Sequence, residues 1–196
     1  MICLIFFNLV WRMQKIMKYY LVALFDKDSN EYVEQIQKNI CKKYKLFKSL
    51  PLLYIPLEII GDPDVEKLSK IVLDIIKPYK KFKVLINRAE CSNATFKFAN
   101  LKVENKGYIV RLSRHFNEKL KMYGFDVKEN NQEHDLTIPL TGNFFNNKEI
   151  PHKDINNDSI KNESLNRMVT VDRIELWKNV NNKKDMMVKK FQLREY

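Results

Sequence analysis

Apolar and polar residues along this chain alternate with a period of two in some stretches and with a helical period in others, and the order of those stretches predicts its elements. Residues 19–25 form an apolar run of strand length, and Asp28-Ser-Asn-Glu31 then has the capping-box pattern that opens a helix through about Tyr44. Residues 52–60 alternate strictly, which assigns Leu53, Ile55, Leu57 and Ile59 to one face and Tyr54, Pro56 and Glu58 to the other. The turn Gly61-Asp-Pro-Asp64 places Pro63 at the first position of a second helix. Its apolar stripe is Val65, Leu68, Ile71, Val72, Ile75 and Ile76, and it ends near Pro78. Strands are expected at 82–90 and 95–103, then an amphipathic helix at 108–123 closed by Gly124, with His115 on its polar side. Residues 136–140 repeat the strand alternation. Residues 143–166 are polar and rich in asparagine, as in a long loop. The segments 169–180 and 186–193, joined by a turn at Asn181-Asn182, read as a terminal hairpin.

Composition narrows the class without naming a function. A chain of 196 residues that is 45% hydrophobic holds a sizeable core, and with four glycines and six prolines it is neither fibrous nor a disordered polymer. Its formal charge of +11 favours an anionic partner, nucleic acid or nucleotide, although lysine and asparagine are spread along the whole chain rather than gathered in one place. Cys3, Cys41 and Cys91 are odd in number and lack any C-x-x-C spacing, so the pattern offers neither a disulfide framework nor a zinc site and fits a reducing cytoplasm. No glycine-rich phosphate loop or metal-ligand spacing calls for a cofactor or a metal. The apolar run Ile2-Cys-Leu-Ile-Phe-Phe-Asn-Leu-Val-Trp11 is about half of the ~20 residues a spanning helix needs. Residues 1–16 therefore read as an extension ahead of Met17, the alternative being a peripheral anchor, and residues 17–196 as one bilobal domain, monomeric.

The same pentapeptide pattern occurs twice, each time inside an alternating strand: Leu53-Tyr-Ile-Pro-Leu57 and Leu136-Thr-Ile-Pro-Leu140. Around it stand Lys18-Tyr-Tyr-Leu-Val-Ala-Leu-Phe25 at the start, Gly61 after the first copy, and Val171-Asp-Arg-Ile-Glu-Leu-Trp177 ahead of the last strand. In this order the elements resemble the 2′-5′ RNA ligase and cyclic phosphodiesterase family of the two-histidine phosphoesterase superfamily, over about residues 17–193. The resemblance implies an α+β fold of two pseudo-symmetric lobes, with antiparallel strands, helices on the outside and a central groove. It also implies one H-x-T or H-x-S motif per lobe. There one histidine acts as general base and the other protonates the leaving oxygen of a 2′,3′-cyclic or 2′-5′ phosphodiester.

Carried over residue by residue, the first histidine falls on Tyr54 and its hydroxyl partner on Pro56, the second on Thr137 and its partner on Pro139. All four depart from the pattern. A phenol titrates near ~10 and a threonine hydroxyl scarcely at all, against ~6.5 for imidazole, so neither shuttles protons near neutrality. Each general acid or base contributes roughly 10²- to 10⁴-fold, and losing both removes most of the chemistry. The resemblance then implies an impaired enzyme that still binds an RNA end or cyclic nucleotide, with Tyr54 stacking on a base and Thr137 bonding a phosphate oxygen. An active, slow cyclic phosphodiesterase and a non-enzymatic scaffold are the alternatives. A shifted register would bring His134 near the second motif and make it the alternative catalytic residue; its parity with Leu136 and Ile138 places it on the core side, although a strand end could let its ring escape. His115 and His152 read as solvated. Two basic-aromatic stretches, at 42–48 and 77–83, follow helices. They are read either as positive helix ends with aromatics in the core or as RNA-binding patches.

Overall fold

The computed structural model describes residues 17–46, 52–92, 98–104, 106–128, 136–141, 161–178 and 186–195. Their elements in chain order are β1 (Lys18–Phe25), α1 (Lys27–Lys43), β2 (Ile55–Gly61), α2 (Val65–Ile76), β3 (Phe82–Ser92), β4 (Phe98–Val103), α3 (Tyr108–Met122), β5 (Asp126–Lys128), β6 (Thr137–Pro139), β7 (Lys161–Lys178) and β8 (Met186–Gln192). Every strand pairing is antiparallel, in the order β5-β2-β1-β7-β3-β4-β6, and β8 adds to β7. This is the α+β fold expected.

The two lobes are halves of one curled sheet, joined by the long strand β7. Its residues 173–178 lie between β1 and β8, while residues 161–171 pair with β3. The first half of the molecule thus contributes β1, β2 and β5 with β8, and the second half β3, β4 and β6. Sheet twist curls the assembly until β2, next to one end of the strand order, and β6, at the other, approach within 8 Å between Cα atoms. A buried bond secures the approach: Gln37 of α1 donates from Nε2 to the Leu140 carbonyl at 3.0 Å.

Three helices cover one face among the described residues. The main core joins Val33, Ile40 and Cys41 of α1, Leu68, Val72 and Ile75 of α2, and Ile109, Leu112, Phe116 and Leu120 of α3 to alternate strand residues such as Leu21, Ile55, Leu101 and Ile138. A smaller cluster, Tyr20, Val22, Leu24, Tyr54 and Trp177, lies on the second face. β1 is apolar without alternation because it is central and covered on both faces.

The caps sit one or two residues from where the pattern put them. Asp26, not Asp28, caps α1, accepting from Ser29 N at 2.8 Å, and Ser29 Oγ accepts from Thr170 N at 2.8 Å, so the helix start is tied to β7. Asp64 caps α2 through Glu66 N and Lys67 N, both at 3.0 Å, which leaves Pro63 just outside the helix rather than at its first position. Gly124, at φ +79°, closes α3 as expected. The polar stretch read as a loop to Asn166 is already strand from Lys161, because pairing with β3 overrides its low β propensity. Asn166 holds φ +49° where the ladder shifts. The short β5 gave no signal. The expected hairpin is formed by β7 and β8, while its turn at Asn181-Asn182 lies outside the described residues, as do residues 1–16.

Candidate ligand-binding face

Strand register decides which side chains share the second face. β2 carries a bulge: Val22 pairs with Pro56 and Leu21 with Glu58, so Leu57 is an extra residue. Leu53, Ile55, Leu57, Leu136, Ile138 and Leu140 all enter the helix-side core, as their alternation required. Beyond the bulge the parity inverts. Ile59, expected in that core, packs instead with Tyr20 and Tyr54, and Glu58, expected beside Tyr54, turns to the helix side and accepts from Asn117 Nδ2 of α3 at 3.2 Å. One inserted residue flips every later side chain.

Tyr54, Pro56, Thr137 and Pro139 are the alternates to the core residues and share the second face. Pro56 stands beside the bulge and Pro139 in the last strand of the sheet order, positions where a missing N–H is tolerated. Tyr54 is 2% exposed and meets Trp177 edge-on, with ring centroids 5.0 Å apart. A ring so enclosed offers no open face to a base. Thr137 is 5% exposed, and its hydroxyl has no hydrogen-bond partner among the described residues.

Around Tyr54 the first half of the face is a closed network. Arg173, Glu175 and Trp177 alternate along β7 and register against Leu24, Val22 and Tyr20. Glu175, 6% exposed, accepts from Trp177 Nε1 at 2.7 Å and from Arg173 Nε at 2.8 Å. Arg173 also donates to the Phe25 carbonyl at 2.8 Å and to Asp172 Oδ1 at 2.9 Å. Burial works against the Arg173 charge, but its bonds to Glu175 and Asp172 outweigh this and raise its pKa. Sequence reading missed these three as a unit; their period-two spacing in Val171-Asp-Arg-Ile-Glu-Leu-Trp177 was the available signal. A cavity of about 590 Å³ opens at the end of this half, where Asp26, Glu34 and Asp172 balance Lys27, Lys38 and Arg173, so it carries no net charge to attract an anion.

The second half is polar. Arg88 pairs in register with Lys102, and Lys102 with Thr137; Glu90, two residues along β3, accepts from Arg88 Nε at 3.1 Å and Nη2 at 2.9 Å and lies 3.6 Å from Lys102 Nζ. Of the histidines, His115 sits on α3 in the helix layer, away from this face, and His134 and His152 lie outside the described residues. No cluster of metal-ligating side chains occurs among the described residues, and none of their helices is long and apolar enough to cross a membrane. Of the aromatics in the basic stretches, Tyr44 and Phe82 are buried and Tyr79 is partly buried and meets Tyr108 edge-on, while Phe47 lies outside the described residues. Lys42 and Lys43 occupy the last turn of α1, as a positive helix end should, whereas α2 has no basic residue there.

A curled antiparallel sheet, helices covering one face among the described residues, and two look-alike strands brought together make up a fold that this chain shares with solved structures along nearly its whole length. TT0787 of Thermus thermophilus superposes with a TM-score of 0.62 at 13% identity, covering 91% of this chain and 99% of its own. E. coli LigT in complex with 3′-AMP gives 0.57 at 12%, covering 91% and 99%. A crystal structure described as a phosphoesterase gives 0.57 at 12%, covering 92% and 100%. At such identities the likeness is one of fold. No protein-family model matches the sequence, and no curated protein matches it.

Proposed function

We propose that this chain is a phosphoesterase-fold protein that binds a phosphorylated nucleotide or RNA end on the second face of its sheet and has lost histidine acid–base catalysis there. The observation that carries it is the state of the two positions on which the resemblance places the histidines: Tyr54 is packed against Trp177 and 2% exposed, and Thr137 is 5% exposed, on strands that approach each other. Neither side chain titrates near neutrality as imidazole does, and Pro56 and Pro139 supply no hydroxyl. The binding half of the proposal is supported by the net charge of +11, by the cations Arg88 and Lys102 beside Thr137, and by the ligands of a protein with the same fold. E. coli LigT has been crystallised with 3′-AMP, NADP+, ATP and phosphate.

The test is to incubate the purified chain with 2′,3′-cyclic nucleotides and with RNA ending in a cyclic phosphate, beside the quadruple variant Tyr54→His, Pro56→Thr, Thr137→His, Pro139→Thr. The unmodified chain is expected to bind these ligands, more weakly as salt rises, and not to turn them over, whereas a folded quadruple variant recovers cleavage. Turnover by the unmodified chain would refute the loss of catalysis. Absence of binding even at low salt would refute the ligand class and leave a scaffold.

A further inference from the structure

The second face divides into two unlike halves. In the first, Arg173 is committed to Glu175, Asp172 and the Phe25 carbonyl, and the adjoining cavity is charge-balanced. In the second, register lines up Ser164, Arg88, Lys102 and Thr137 directly across β7, β3, β4 and β6. Neighbouring strands lie about 4.8 Å apart, so Arg88 and Thr137 flank Lys102 within reach of one tetrahedral anion. Glu90, in the next row, accepts from Arg88 and lies 3.6 Å from Lys102 Nζ, and so holds both cations in place. Lys102 is 17% exposed, a cation already partly desolvated.

The independent observation is the Thr137 hydroxyl. It is buried, stands opposite Lys102, and has no hydrogen-bond partner among the described residues. A buried hydroxyl left so costs stability, and an acceptor from a ligand satisfies it. The residue at the second motif position thus lacks an acid–base group but retains a donor, next to two charges.

We infer that the cross-strand row Arg88–Lys102–Thr137 is the phosphate-binding element of this face and that it takes a terminal phosphate of a nucleotide or RNA. Binding is then confined to the second half of the sheet instead of spanning the two motif strands. This rests on the ligand class proposed above. Arg88 and Lys102 supply charge and the Thr137 hydroxyl donates to a phosphate oxygen; no bond is made or broken.

Titration of 3′-AMP, and of a short single-stranded RNA ending in either a 3′-phosphate or a 3′-hydroxyl, tests it on the full chain and on Arg88→Gln, Lys102→Met, Thr137→Val and the control Lys83→Met. Lys83 is exposed on the same face of β3, opposite Thr170. Arg88→Gln and Lys102→Met are each expected to weaken the phosphorylated ligands by roughly tenfold or more, the loss of one charge-assisted bond, with Lys83→Met close to unchanged. Thr137→Val is expected to weaken the same ligands while leaving the urea midpoint of the free protein equal or higher, since it removes an unsatisfied buried hydroxyl. A purely structural hydroxyl would lower that midpoint and spare affinity, which would overturn the inference. So would equal binding of 3′-hydroxyl and 3′-phosphate RNA, or phosphate binding unchanged in all three row variants. In that last case the ligand class stands and only its placement fails. A wild-type chain that binds none of the probes refutes the ligand class and the inference with it.

Discussion

Asp26 joins β1 to α1 and carries more than a turn residue's usual share. Burial alone would raise its carboxyl, but bonds from the Ser29 hydroxyl and amide, a bond to the Thr170 side chain and the charge of Lys81 outweigh it and hold the pKa below the ordinary 3.8. A depressed carboxyl contributes stability that is present above its unfolded pKa and lost as pH falls through the folded value. Asp26→Asn keeps a capping oxygen but cannot titrate. Urea midpoints of the two proteins should therefore differ most above about pH 5 and converge as pH falls from about 5 to about 2. A constant gap over that range would remove the carboxylate's charge from the account. At this scale the motif residues were legible from the sequence: Tyr54, Pro56, Thr137 and Pro139 do share a face. Their surroundings were not, because Trp177, tied to Glu175 and through it to Arg173, meets Tyr54 from a strand more than a hundred residues away.

At the scale of elements, helices were read well because each encodes its own stripe and stop signal. Gly124 is the clearest stop, with φ +79° and nothing within 4 Å of where a Cβ would lie. Gly124→Ala then meets no clash and tests backbone strain alone. It should cost about 1 kcal/mol, with Gly124→Asn costing less, read as a fall of about 2–4 °C in Tm for the alanine variant. An unchanged Tm would mean that α3 ends in some other way when Gly124 is replaced. Strands were read less well beyond their irregularities. The bulge at Leu57 is invisible in the L-x-I-P-L pattern, yet it decides that Glu58 meets Asn117 and that Ile59 joins Tyr20. A three-residue strand such as β5 leaves no periodicity at all, and its place follows from pairing with Ile59–Gly61.

For the whole molecule, the decisive event is the curling that brings β2 to β6. The Gln37 bond to Leu140 crosses between the halves, from α1 of the first to the end of β6 in the second, over a sequence distance of 103 residues. Gln37 is 1% exposed, so Gln37→Leu leaves the Leu140 carbonyl without that buried donor, at a cost of about 1–3 kcal/mol. Hydrogen exchange should quicken most at the Leu140 amide, which bonds Ala99 O at 2.9 Å, and little in β1 or β7. Uniform quickening of all strands would indicate a global loss instead of a weakened seam between the halves.

The sequence by itself determined the helices and the longer apolar strands, the apolar face of each motif strand, and the absence of histidine from the four motif positions in the assigned register. These are properties of neighbouring residues and of side-chain period, which a linear pattern records. Only the tertiary structure decided what lies beside those positions. The bulge at Leu57, the enclosed Tyr54–Trp177 contact and the polar row Arg88–Lys102–Thr137 all arise from register between strands remote in the chain. Register is set by the sum of pairings across a curled sheet, and no single strand carries it.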